Sequence, residues 1–142
     1  MPNTPKNAFP DPASSRMVAA PLILVVDDQA KNSRLLQVIL EPAGYTVITA
    51  GSGAVALQMA QSRLPALVLL DVMMPGMDGF AVCQRLKQIE STRQIPVIFV
   101  TAGDDPQAES RGLALGAVDF VAKPINLAVL LARVKTHLAL DG

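Results

Sequence analysis

Four short apolar runs in this chain each break off on residues that handle phosphate or metal. Leu22–Val26 (LILVV) ends on Asp27 and Asp28, and Ala66–Leu70 (ALVLL) ends on Asp71. Pro96–Val100 (PVIFV) ends on Thr101, and Asp119–Ala122 (DFVA) ends on Lys123 and Pro124. A run that is apolar throughout, such as ALVLL, suits a strand buried on both faces of a parallel sheet. If the four runs are neighbouring parallel strands, all four ends lie on one edge of one sheet. Three carboxylates, a hydroxyl and an ammonium then share one crevice. Such a set suits holding a divalent cation and accepting a phosphoryl group.

Helical patterns separate the runs. Residues 30–41 carry Leu35, Leu36, Ile39 and Leu40 at helical spacing, and Pro42 and Gly44 close the segment. A further strand is expected at 45–49 (YTVIT), then a helix at 53–63 with Val55, Leu57, Met59 and Ala60, stopped by Pro65. Asp78 is placed to cap a helix over 79–90 that turns Val82, Leu86 and Ile89 inward. Asp104 or Asp105 caps the next helix, with Pro106 in its first turn and Gly116 as its C-terminal stop. Gly112 inside that helix costs about 1 kcal/mol relative to Ala, which makes it the weakest helix by propensity. After a strand at 118–122, the last helix starts at Asn126 and is expected to bury Leu127, Leu130, Leu131, Val134 and Leu138.

Five strands alternating with five helices across short links predict an α/β domain with a five-stranded parallel sheet in three layers. Right-handed crossovers place ligands at the carboxyl ends of the strands, where strand order reverses. The second strand ends on Thr49-Ala50-Gly51, with no charged group. A flavodoxin-like (βα)5 order of 2-1-3-4-5 puts that strand at an edge, in agreement with the polar pattern.

The chain of 142 residues is 51% hydrophobic, enough for one core without disulfide or metal staples. Aromatics are only 4%, so aliphatic residues and Met must fill it. Residues 1–20, with Pro2, Pro5, Pro10 and Pro12 among small polar residues, show no apolar period and read as a flexible tail before a domain over 21–140. The net charge is zero and no basic stripe occurs, which argues against direct nucleic-acid binding. Apolar stretches fall short of the roughly 20 residues of a membrane span. The single Cys83 excludes an internal disulfide and fits a reducing compartment, so a soluble cytoplasmic protein is expected.

Asp27, Asp28 and Asp71 cannot all stay ionised at close range without a compensating cation. Hard carboxylate oxygens favour Mg²⁺, and Lys123 adds positive charge without closing the site. Other residues have blander readings. Cys83 is expected to pack a helix, and Met73, Met74 and Met77 to pack a loop. His137 is expected on the surface of the last helix, where the dipole favours a cation, rather than as a phosphodonor. Gly51-Ser52-Gly53 is too short for a nucleotide loop.

The Asp27-Asp28 pair, Asp71 within LDVMMPGMDG, Thr101-Ala102, Phe120 and Lys123-Pro124 together resemble the receiver domain of bacterial response regulators, over about residues 21–140. The resemblance implies that Asp71 is the phosphoacceptor, a carboxylate nucleophile that forms an acyl phosphate. It implies Mg²⁺, with Mn²⁺ as an alternative, bound directly by Asp28, with Asp27 contributing through water or as a second ligand, and with Asp71 and the backbone carbonyl of Met73 completing the protein ligands. Lys123 and Thr101 would hold phosphoryl oxygens, and a cis Lys123-Pro124 bond is implied. Thr101 and Phe120 resemble the family's switch pair, whose movement alters the face built from the fourth helix, fifth strand and fifth helix. The implied partners are a histidine kinase or phosphotransfer protein, and a downstream protein or second copy at that face. Apolar Met73 and side-chain-free Gly103 suggest slow self-dephosphorylation.

Two other classes compete. A phosphatase of the haloacid-dehalogenase type wants a second Asp two residues after the nucleophile, where Met73 stands. A receiver fold serving as a phosphorylation-independent scaffold usually lacks site residues, and none is missing. The expected role is therefore a signalling module that catalyses only its own phosphorylation and dephosphorylation.

Overall fold

The apolar runs do become strands, and their register places the site. A computed structural model describes residues 20–103 and 105–141. In chain order the elements are β1 (Leu22–Val26), α1 (Ala30–Leu40), β2 (Thr46–Ala50), α2 (Gly53–Arg63), β3 (Leu67–Asp71) and α3 (Gly79–Gln88). They continue with β4 (Val97–Thr101), α4 (Pro106–Ala114), β5 (Asp119–Ala122) and α5 (Leu127–Asp141). The strands pair in parallel in the order β2-β1-β3-β4-β5, the expected 2-1-3-4-5 arrangement. The tail expected over residues 1–20 lies, Ala20 apart, outside the described residues, as does Asp104.

Alternate residues of each strand serve two cores, because successive side chains point to opposite faces. Ile23, Val25, Leu67, Leu69, Ile98 and Val121 pack with Leu36 and Leu40 of α1 and Leu130 and Val134 of α5. Leu24, Val26, Val68, Leu70, Val97 and Phe99 pack with Ala56 and Ala60 of α2, Val82 and Leu86 of α3, and Ala108 of α4. This is the three-layer sandwich. Every residue of β3 is buried, as a strand covered on both faces must be. Each fully buried Leu or Ile contributes about 1.5–3 kcal/mol, so the central strands hold the scaffold rigid.

Helix ends follow the expected chemistry. Asp78 Oδ1 accepts from the Ala81 N–H at 2.9 Å to cap α3, and Asp105 Oδ1 accepts from Gln107 and Ala108 to cap α4. Asn126 Oδ1 accepts from the Val129 N–H at 3.0 Å at the start of α5. Gly116 takes a φ of +106°, and the Ala117 N–H donates to the Gly112 carbonyl at 3.0 Å, closing α4 with a left-handed cap.

Several sequence expectations give way. β2, β3 and β4 each sit one residue later than expected, so Asp71 and Thr101 are the last strand residues rather than the first loop residues. Helix α3 stops at Gln88 because Thr92 folds the chain back, its hydroxyl donating to the Leu86 carbonyl at 2.7 Å. Leu35 and Leu127, expected inside, are 49% and 54% exposed, and Val55 also faces solvent. The buried stripes of α1 and α2 run instead through Ser33 and through Gly53 and Ala56, small residues that allow close approach to the sheet. Apolar spacing alone did not distinguish which of two adjacent leucines faces the core.

Candidate functional site

At the carboxyl edge of the sheet, β1, β3, β4 and β5 deliver their terminal residues to one place. The register pairs Val26 with Leu70, Asp71 with Val100 and Thr101 with Ala122, so the next residues along each strand converge. Carboxylate oxygens of Asp27, Asp28 and Asp71 all lie within 4.8 Å of one another. Lys123 Nζ lies 3.3 Å from Asp71 Oδ1 and 4.0 Å from Asp27 Oδ2. The Lys123–Pro124 peptide bond is cis.

Backbone groups hold the acids. The Gln29 N–H donates to Asp27 Oδ1 at 2.9 Å, and the Met73 N–H donates to Asp71 Oδ1 at 3.4 Å. Asp27 and Asp71 are buried and Asp28 is exposed, so the cluster opens to solvent through Asp28. Thr101 is buried, and its Oγ1 has no hydrogen-bond partner among the described residues. A buried hydroxyl left unmatched costs about 1–3 kcal/mol.

Three ionised carboxylates and one ammonium leave two uncompensated negative charges. Two like charges about 4 Å apart repel by about 4 kcal/mol at an effective dielectric of about 20. Burial pushes the Asp71 carboxyl above its ordinary value, and Asp27 pushes it further. Lys123 and the Met73 N–H offset this only in part. The donor set is all hard oxygen with excess negative charge, so it fits a divalent cation such as Mg²⁺. Such an ion would be held by Asp27, Asp28 and Asp71.

Neighbouring residues complete the picture. Met73 is 75% exposed at the mouth of the cluster, whereas Met74 is buried, so only part of the methionine group packs the loop. Gly103 adopts a φ of +93°, and a side chain there would meet Ala122. Thr49 and Gly51, expected to lie away from the crevice, line an open groove of about 330 Å³ together with Asp27 and Asp28. Phe120 is partly buried at the edge of the core under α4. His137 is not a free surface residue: its side chain is 14% exposed and its Nε2 lies 3.0 Å from Asp119 Oδ2. Arg133 binds the other oxygen of Asp119, an acid and base placement that helical spacing on α5 alone did not suggest.

One positional requirement went unassigned in the sequence. A Cβ added to Gly79 would come within 2.2 Å of the Asp71 carbonyl oxygen, and the Gly79 N–H donates to Val72 O at 2.9 Å. The first residue of α3 is thus seated directly on the strand end that carries Asp71. The Asp78-Gly79 pair was the available signal, legible as a cap but not as a close approach.

The chain is similar to known proteins over most of its length. The family profile described as response regulator receiver domain matches residues 23–135. Response regulator PleD of Caulobacter vibrioides is 52% identical over 114 residues, which is 80% of this chain and 25% of PleD. The phosphate regulon transcriptional regulatory protein PhoB of Rhizobium meliloti is 43% identical over 118 residues, covering 83% of this chain and 52% of PhoB. The chain spans between a quarter and about half the length of these curated relatives. Among solved structures, the chemotaxis protein CheY4 of Vibrio cholerae aligns with a TM-score of 0.79 at 30% identity, covering 83% of this chain and 98% of its own. The receiver domain of a signal transduction histidine kinase from Syntrophus aciditrophicus aligns with a TM-score of 0.78 at 39% identity, covering 84% and 91%.

Proposed function

Because the chain belongs to the response regulator receiver domain family, we propose that it is a phosphoacceptor module of two-component signalling, with Asp71 as the residue modified. The observation that carries the proposal is the meeting of Asp27, Asp28 and Asp71 with Lys123, 52 residues beyond Asp71, at one sheet edge. The phosphodonor is a histidine kinase or a phosphotransfer protein, and the unit that receives it covers residues 21–140. Among the described residues no helix is long and apolar enough to cross a membrane, and the proposed compartment is the cytoplasm.

The chemistry follows from the placement. A carboxylate oxygen of Asp71 attacks the phosphorus of the donor, forming a P–O bond as the bond to the donor breaks. A phosphohistidine donor leaves as imidazole with the bond's electron pair and takes up a proton. Mg²⁺ held by the three aspartates and the Met73 carbonyl would neutralise charge on the transferring group. Lys123, already 3.3 Å from Asp71, moves its ammonium onto a phosphoryl oxygen. The unpartnered Thr101 hydroxyl donates to another. Phe120 then occupies the space that Thr101 vacates, and the face of α4, β5 and α5 changes its affinity for a downstream protein or a second copy. The zero net charge argues against direct nucleic-acid binding.

Phosphotransfer assays on wild type, Asp71→Asn and Asp71→Ala, with and without Mg²⁺, test the proposal. Labelling is expected for wild type with Mg²⁺, and for neither variant. Labelling of either variant at the wild-type rate would place the acceptor elsewhere.

A further inference from the structure

Helix α4 is anchored to the rest of the molecule chiefly through small residues. Its buried residues are Ala108 and Gly112, both too small to grip a core. Leu115, at the C-cap of α4, is partly buried against the core, and one aromatic contact, made by Arg111, adds to it. The Arg111 guanidinium lies 4.2 Å from the centroid of the Phe80 ring, and the Phe80 and Phe99 rings pack tilted at 5.3 Å. Gly112 rests against Phe99, near enough that an added Cβ would come within 2.8 Å of two of its ring carbons. Phe80 is buried and follows Gly79, the residue seated on the Asp71 carbonyl. Phe99 is two residues before Thr101 on the same strand. Arg111, Phe80 and Gly79 therefore form one contiguous stack from α4 to the backbone of Asp71. It does not pass through Thr101 and Phe120.

We propose that the Arg111–Phe80 stack is a latch that holds α4 against α3 while Asp71 is unmodified, and that modification of Asp71 releases it through Gly79. The latch rests on the reading of Asp71 as phosphoacceptor. The physical basis is that α3 begins on the strand end where charge and volume change, and that the buried residues within α4, Ala108 and Gly112, are too small to hold it once the Phe80 ring moves, which leaves Leu115 at its C-cap as the larger apolar contact. A guanidinium on an aromatic face at an exposed site contributes enough to change a two-state population about two- to fivefold.

Hydrogen exchange of the α4 amides in the full chain, before and after phosphorylation, separates a latch from simple packing. The variants are Arg111→Met, which keeps helix propensity and the aliphatic stem, and Arg111→Lys, which keeps a cation. In the unmodified chain Arg111→Met is expected to speed α4 exchange about two- to fivefold, leaving α1 and α5 unchanged, while Arg111→Lys stays near wild type. After phosphorylation the difference between Arg111→Met and wild type should vanish, because the stack is open in both. Equal α4 exchange in the unmodified Arg111→Met and wild-type chains would overturn the proposal, as would a difference of the same size before and after modification. If wild type takes no phosphoryl group on Asp71, the functional reading fails, and the unmodified-state comparison still decides whether the stack holds α4.

Discussion

Replacing Gly112 by Ala sets two known effects against each other. On propensity alone the change should stabilise α4 by about 1 kcal/mol, since Gly is that much worse than Ala in a helix interior. The structure opposes this. The new methyl would sit 2.8 Å from Cδ2 and Cε2 of Phe99, a fully buried ring in the strand between β3 and β5. Phe80 packs the same ring, and burial on all sides leaves Phe99 little room to yield. Relief requires α4 to lift by roughly half an ångström or more, with loss of dispersion contacts along its inner face. Overpacking costs about 1–3 kcal/mol, and the 2.8 Å approach to a fully buried ring puts this case in the upper part of that range, about 2–3 kcal/mol, which outweighs the propensity gain. The net expectation is a loss of roughly 1–2 kcal/mol, read in urea as a midpoint lower by about 1 M with an unchanged slope. The double variant Phe99→Leu/Gly112→Ala should lose less than the sum of the single losses, because the smaller side chain opens room for the methyl. A raised midpoint for Gly112→Ala, or strict additivity in the double variant, would refute the reasoning.

The titrating groups supply two further expectations. Burial and Asp27 raise the folded-state pKa of Asp71, so its contribution to stability is present below the ordinary carboxylate range and is lost as pH rises through the raised value. Without Mg²⁺, Asp71→Asn should therefore melt a few degrees above wild type at pH 7, a gap that closes in acid and narrows when Mg²⁺ is added. For Asp119, burial pushes upward, but the His137 hydrogen bond, the Phe120 N–H and Arg133 outweigh it and hold the carboxyl below its ordinary value. Its contribution is present above the ordinary range and lost as pH falls through the lowered value. Asp119→Asn should cost roughly 1 kcal/mol at pH 7 after solvent screening, and less as pH is taken below about 4 in chemical denaturation.

The parallel sheet, the strand order and the gathering of Asp27, Asp28, Asp71, Thr101 and Lys123 were legible in the chain itself. The physical reason is that strands buried on both faces must be apolar throughout, so the first polar residue after each run marks the sheet edge. Cap signals at Asp78, Asp105 and Gly116 were equally plain, because a cap acts on groups within a few residues of itself. Tertiary packing decided what depended on distant partners. Leu35 and Leu127 share helical spacing with true core residues, yet face solvent, because packing against the sheet seats Leu36 and Leu40 of α1 and Leu130 and Val134 of α5 instead. His137 is drawn inward by Asp119, eighteen residues earlier in the chain. Gly112 reads in one dimension as a flaw in a weak helix. Only the ring of Phe99 beneath it shows that no larger residue fits, because steric exclusion belongs to the pair and not to either residue alone.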